Sequence, residues 1–160
     1  MTDVIPGRMT HKYDGDLVVY LVGMRINKPW RPDLWLPVFF AMPKMLAELS
    51  KDKDSGLLGY RLAVGAGGPL VVQYWNSHEK LYAYASDRNA AHRLAWTAFN
   101  RRVRKAPGAV GIWHETYVVE RAASAYFGMP VSGLAAATSS VPVVRRGERA
   151  TERLGARQAA

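Results

Sequence analysis

Ala109-Val-Gly-Ile-Trp-His-Glu-Thr-Tyr-Val-Val119 is a strand-like run that sets His114 and Glu115 side by side among apolar and aromatic residues. An imidazole and a carboxylate in a β-prone stretch are costly to bury unless they are paired or used. Strand alternation sends Ile112, His114 and Thr116 to one face and Trp113, Glu115 and Tyr117 to the other. On a regular strand the two polar groups therefore do not form a dyad. Either His114 sits at a sheet edge with Glu115 in solvent, or one face of this strand lines a pocket.

The elements before it follow a pattern. Leu17-Val-Val-Tyr-Leu-Val-Gly-Met-Arg-Ile26, bounded by Asp14-Gly15-Asp16 and Asn27-Lys28-Pro29, reads as a mostly buried strand. Asn27 to Pro37 reads as a Trp/Pro-rich linker. Leu34 to Leu49 then carries Leu34, Val38, Met42, Met45, Leu46 and Leu49 at helical spacing. Pro37 suits the first turn of that helix, whereas Pro43 predicts a kink or a break. Leu57 to Val64 and Leu70 to Trp75 are strand runs around Gly65-Ala-Gly-Gly-Pro69, a hairpin connection by composition. Ser77 is placed to cap a helix over His78 to Ala85, and Asp87 to cap a second running to about Val103. Pro107-Gly108 ends that helix ahead of the His114 strand.

Strand, helix, strand, strand, helix, strand is the split βαβ order of an α+β, ferredoxin-like domain, here expected over residues 16–121. The antiparallel sheet would carry helices on one face, leaving an aromatic-bearing second face that a homodimer would cover. Residues 1–15 are expected to be a flexible N-terminus and 122–144 an irregular arm over the domain or its partner. Residues 145–160 read as a disordered basic tail.

A chain of 160 residues fits one domain with a real core, and 49% hydrophobic residues with five Trp and eight Tyr argue against disorder. The absence of Cys removes disulfides and thiolate chemistry together. With no basic-then-apolar leader pattern in Met1 to Gly15, the expectation is a cytoplasmic protein. Charge or proline interrupts every hydrophobic run, so no membrane-crossing segment is expected. The net charge is +9, of which Arg101, Arg102, Arg104 and Lys105 supply +4 and the tail from Arg145 supplies +3. A basic helix end complements the helix dipole and a basic tail is solvated, so nucleic acid is not an expected partner.

Four segments carry a resemblance: Val71-Val-Gln-Tyr-Trp-Asn-Ser77, Leu81-Tyr-Ala-Tyr-Ala85, Ala91-His-Arg-Leu-Ala-Trp-Thr-Ala-Phe-Asn-Arg-Arg-Val103 and Gly111-Ile-Trp-His-Glu-Thr-Tyr117. Together with Gly23-Met-Arg-Ile-Asn27 and Gly56-Leu-Leu-Gly59, they resemble the monooxygenase-like family that includes the fumagillin-pathway monooxygenase. That family lies within the dimeric α/β-barrel superfamily of antibiotic-biosynthesis monooxygenases. The resemblance spans about Leu17 to Leu134. It implies a homodimeric α/β barrel with a pocket in each subunit between sheet and helices, acting on a small hydrophobic molecule. Relatives include cofactor-independent oxygenases of aromatic polyketides and haem-binding enzymes of the IsdG type. In the haem binders a His on the second long helix ligates iron, and His92 is the nearest candidate here. Tyr84 stands where the haem degraders carry Trp, a departure that argues against haem degradation itself.

The resemblance implies two branches of chemistry. In one, haem is held by His92, whose other nitrogen would need a carbonyl or carboxylate. In the other there is no cofactor, and His114 takes a phenolic or enolic proton so that the carbanion reacts with oxygen. Glu115 or Arg25 would set the charge state of His114. Tyr74, Tyr84, Trp96, Trp113 and Tyr117 would wall the substrate pocket. Gly65-Ala-Gly-Gly68 lies between two strands and is followed by Pro69, so a bound nicotinamide or flavin nucleotide is not expected. The rival is a non-catalytic dimeric protein that binds haem or an apolar metabolite.

Overall fold

The computed structural model describes residues 3–65, 67–144 and 149–155. Strand β2 (Leu17–Ile26) lies at the centre of a four-stranded antiparallel sheet with β3 (Leu57–Gly65), β4 (Gly68–Trp75) and β5 (Val110–Val119), in the order β3-β4-β2-β5. The helices α1 (Pro32–Lys51), α2 (His78–Ser86) and α3 (Ala91–Lys105) complete the βαββαβ order. Strand order and element order together are those of the ferredoxin-like fold, as the periodicities predicted.

One sheet face is covered by helices. Val18, Val22 and Met24 of β2 alternate toward it, where Leu34, Leu46 and Leu49 of α1, Leu81 of α2 and Phe99 of α3 close the core. Trp75 is wholly buried there, and its indole N–H donates to Gln73 Oε1 at 3.0 Å, which gives the buried amide oxygen of Gln73 a partner. The opposite face holds Leu17, Val72 and Tyr74 against Leu134, with Val19 and Leu21 beside them.

Several boundaries differ from expectation for identifiable reasons. α1 begins at Pro32, shortening the linker, and runs through both Pro37 and Pro43. Pro32 occupies the first turn, where a missing N–H costs nothing, and Pro43 lies on the exposed side, where the carbonyl it frees reaches water. α3 starts at Ala91 rather than after Asp87. Asp87 Oδ1 instead accepts from the Asn89 N–H at 2.8 Å, a local Asx turn, while Glu48 Oε2 of α1 accepts from the Ala91 N–H at 3.0 Å. Ser77 does cap α2, accepting from the Lys80 N–H at 3.2 Å.

The larger correction concerns the ends. Residues 1–15 were expected to be flexible and 122–144 irregular, yet β1 (Ile5–Lys12), β6 (Tyr126–Met129) and β7 (Ser139–Pro142) form a second sheet in the order β6-β1-β7. Helix α4 (Gly133–Ala137) packs Leu134 and Ala137 onto the second face of the main sheet, so the chain itself covers part of the face expected to be open. These pairings join residues more than a hundred positions apart, and no local pattern announces them. Of the tail expected to be disordered, residues 150–155 form helix α5 (Ala150–Gly155). Residues 145–148 and 156–160 lie outside the described residues.

Candidate functional site

Strand β5 changes character along its length. Val110 is buried and Ile112 packs on the core of Met24, Leu34 and Phe99, but every residue from Trp113 to Val118 is exposed. Helix α3 packs Phe99, Val103 and Ala106 against the start of this strand. The stretch from Trp113 to Val118 is left largely open, and at the end of the strand Val119 packs on the second face with Leu17.

His114 lies on the helix-bearing face, opposite Val22 and beside the ring of Tyr20 at 5.9 Å between centroids. Thr116 pairs with Tyr20 across the same strands. Burial raises the Tyr20 phenol above its ordinary value, and the nearby Tyr82 adds to that shift. Tyr82 is itself well exposed. His114, Tyr20, Thr116 and Tyr82 thus form an open polar and aromatic surface where sheet meets helix, with an accessible imidazole beside a phenol held neutral. Tyr20 and Tyr82 were not among the residues expected at the site. The signal available for Tyr20 was its period-two relation to Val18 and Val22 in β2.

The residues expected to set the charge of His114 do not reach it. Glu115 points to the opposite face, where its Oε2 accepts from the Tyr117 hydroxyl at 2.8 Å. That carboxylate raises the Tyr117 phenol, first through the hydrogen bond and then through its charge. Arg25 pairs with Gly111 and shares the face of Trp113 and Glu115 rather than that of His114. Trp113 covers Gly23 so closely that a Cβ there would lie 2.6 Å from the indole. Tyr74 is buried on that second face with Leu17, Val72 and Leu134. Trp96 stacks on Phe99 at 5.5 Å with its ring partly in solvent. The expected wall of Tyr74, Tyr84, Trp96, Trp113 and Tyr117 is therefore distributed over both sides of the sheet and does not enclose one space.

His92 belongs to a separate cluster. Its Nε2–H donates to the Ala85 carbonyl at 2.8 Å, and its ring lies 5.0 Å from that of Tyr84, which in turn lies 6.3 Å from Trp75. Nδ1 is buried without a hydrogen-bond partner among the described residues. Burial, then the Glu48 carboxylate, pushes the Tyr84 phenol up to about 12. The carbonyl on Nε2 is the partner that an iron ligand would need, whereas Nδ1, the nitrogen left for iron, is buried beside Tyr84. His78 lies at the surface 3.3 Å from Glu79. His11, expected in a flexible segment, is half-buried in β1, where the Ser124 hydroxyl lies 2.8 Å from Nδ1, and desolvation lowers its pKa.

A cavity of about 340 Å³ lies at the other edge of the sheet, lined by Leu57, Leu58, Gly59 and Tyr60 of β3 with Ser50, Ala136 and Ala137. It holds no group suited to proton transfer near neutral pH. No cluster of three or more His, Asp or Glu able to hold a metal ion occurs among the described residues.

Solved structures similar to this chain include three of low identity. A dimeric ferredoxin-like protein of unknown function from Thermobifida fusca is 18% identical over 68% of this chain and 95% of its own, with a TM-score of 0.45. A protein from Shewanella oneidensis is 10% identical over 72% and 97%, also with a TM-score of 0.45. SnoaB, a cofactor-independent oxygenase from Streptomyces nogalater, is 11% identical over 67% and 96%, with a TM-score of 0.37. No curated protein matches the chain by sequence. The model of the monooxygenase af470-like family matches residues 17–134, the stretch that holds the whole βαββαβ unit and His114, and the chain belongs to that family.

Proposed function

We propose that the protein is a monooxygenase that oxidises a small hydrophobic molecule without a bound cofactor, with His114 as the base. Family membership supports the monooxygenase type of activity. The observation that favours the cofactor-free branch is the contrast between an accessible imidazole at His114, beside Tyr20, and one at His92 whose unpartnered nitrogen is buried. A substrate with an acidic CH₂ next to a phenol or enol system would lose a proton to His114 and donate electrons to dioxygen. The resulting hydroperoxide loses water to leave a carbonyl. One dioxygen then supplies the carbonyl oxygen and one water, and the substrate itself supplies all four electrons. The neutral hydroxyls of Tyr20 and Thr116 are placed to hydrogen-bond a developing enolate on this face.

The protein is further read as a homodimer. The second sheet face still exposes Trp113 and Tyr117 beyond the part that α4 covers, and a second copy would bury them. The test is oxygen consumption with an anthrone-type substrate. Wild type should consume one dioxygen per ketone formed and His114→Gln should lose turnover while remaining folded. Turnover that depends on added haem, with a Soret band that His92→Ala abolishes, would overturn the cofactor-free reading. Absence of any turnover alongside tight binding of apolar ligands would favour the non-catalytic binding protein.

A further inference from the structure

The outer side of the helical layer is unusual for a surface. On α1 the buried Leu34, Leu46 and Leu49 and the partly buried Val38 and Met42 face the sheet, yet Leu36, Phe39, Phe40 and Pro43 repeat at helical spacing on the outer side. Phe40 is 57% exposed, and Trp30, just before the helix, is 70% exposed. The rings of Phe39 and Phe40 lie edge to face at 5.3 Å, so the two form one apolar projection.

Helix α3 packs beside α1 through Phe99, Val103 and Ala106, and its outer side is cationic. Arg93, Arg101, Arg104 and Lys105 are exposed there, Arg102 is partly so, and no acidic residue lies on this helix. None of these five cations is in an ion pair among the described residues. Leu94, 74% exposed, and Trp96 interrupt the cationic surface. Because both helices cover the same sheet face, the aromatic stripe and the cationic stripe look outward together.

We propose that the outer faces of α1 and α3 dock the protein on an anionic lipid bilayer. Aromatic and aliphatic side chains next to unpaired Arg and Lys match the layering of a membrane interface, with rings at the acyl boundary and cations among the headgroups. A protein partner would instead need a pocket for its anchoring side chains. The space between α1 and α3, lined by Leu34, Phe99, Arg102 and Val103, is only about 10 Å³ and takes none. Among the described residues no helix is long and apolar enough to cross a membrane, and surface docking does not require one. The docking stands apart from the oxygen chemistry and uses none of its residues.

Flotation of the full chain with vesicles tests this, comparing phosphatidylcholine alone with phosphatidylcholine containing phosphatidylserine. Wild type should float with the anionic vesicles and not the neutral ones, and high salt should release it. Phe39→Ser/Phe40→Ser should weaken binding about tenfold or more, through lost apolar burial. Arg101→Gln/Arg104→Gln should weaken it to a comparable degree, at about fivefold per cation. Melting temperature and solution mass are measured for each variant. Unchanged values with lost flotation support the proposal. It is overturned if wild type ignores anionic vesicles, or if both variants bind as well as wild type, which would place the affinity in the basic tail. It is also overturned if the serine pair halves the mass in solution, since the stripe would then be an interface between two copies. Should the serine pair fail to fold, Phe40→Ser and the arginine pair carry the same test.

Discussion

His92 and His114 both sit among aromatic residues, and the sequence offers them for different roles, a haem ligand and a general base. Their surroundings separate them. His92 is tied down: Nε2 donates to the Ala85 carbonyl, Nδ1 is buried, and the tilted rings of Tyr84 and Trp75 lead inward from it to the core. His114 stands midway along β5, on a stretch that is exposed, with the ring of Tyr20 beside it. A histidine with one nitrogen bonded and the other buried serves packing, whereas one that is both accessible and positioned is free to exchange a proton.

The sharpest way to break this contrast is to change each histidine to Gln. His114→Gln should lower turnover by about 10²- to 10⁴-fold, the usual worth of a positioned acid or base, with little change in melting temperature. His92→Gln should do the opposite, keeping turnover per folded molecule while lowering stability by about 1–3 kcal/mol. Steady-state oxygen consumption and thermal unfolding on the same samples decide the matter. Reversed results would exchange the two roles.

The next test compares the covered and bare parts of the sheet. Leu46, 2% exposed, closes the helix layer over Val22 and Val71, and Leu46→Ala should cost about 2–5 kcal/mol in denaturant unfolding. Val118, in the exposed stretch of β5, should cost no more than about 0.5 kcal/mol when changed to Ala. A large loss at Val118 would mean that something covers this stretch in solution, and the second copy is then the first suspect.

A smaller effect probes whether the two faces of β5 act separately. Gly23→Ala puts a methyl against the Trp113 ring and should cost about 1–3 kcal/mol by displacing it. The pH profile of turnover should stay as in wild type, because His114 points the other way. A shifted profile would show that the faces are coupled.

The smallest effect concerns the Tyr84 cluster at alkaline pH. Its phenol is held up to about 12 against 10.0 when unfolded, so the folded state favours the protonated form. That contribution is complete below pH 10 and is lost as pH rises from 10 through about 12. Tyr84→Phe should therefore flatten part of the fall in melting temperature over that window. The raised phenols of Tyr13, Tyr20 and Tyr74 leave the rest of the fall in place. An unchanged slope would show that Tyr84 is not buried in solution as described.

The main sheet was legible because its signals are local. The run from Leu17 to Ile26, the Gly-rich hairpin before Pro69, the Ser77 cap and the alternation around His114 each specify an element through nearest neighbours. Alternation also put His114 and Glu115 on opposite faces, as found. Arg25 could not be placed against them, because its face follows from the register of β2 on β5. Similarly, the aromatic candidates were chosen by residue type, whereas membership of one site depends on which sheet face each occupies.

By itself, then, the sequence determined the order of the βαββαβ elements, the family and the divergence of the two side chains at His114 and Glu115, since periodicity and motif are properties of adjacent residues. Only the tertiary structure decided that Glu48 caps α3 from another helix, and that β1 pairs with β6 and β7 across most of the chain. It also decided that Nδ1 of His92 is buried while His114 is exposed. Each of these depends on groups far apart in sequence meeting in space, where burial and hydrogen bonding, rather than local propensity, select the partner.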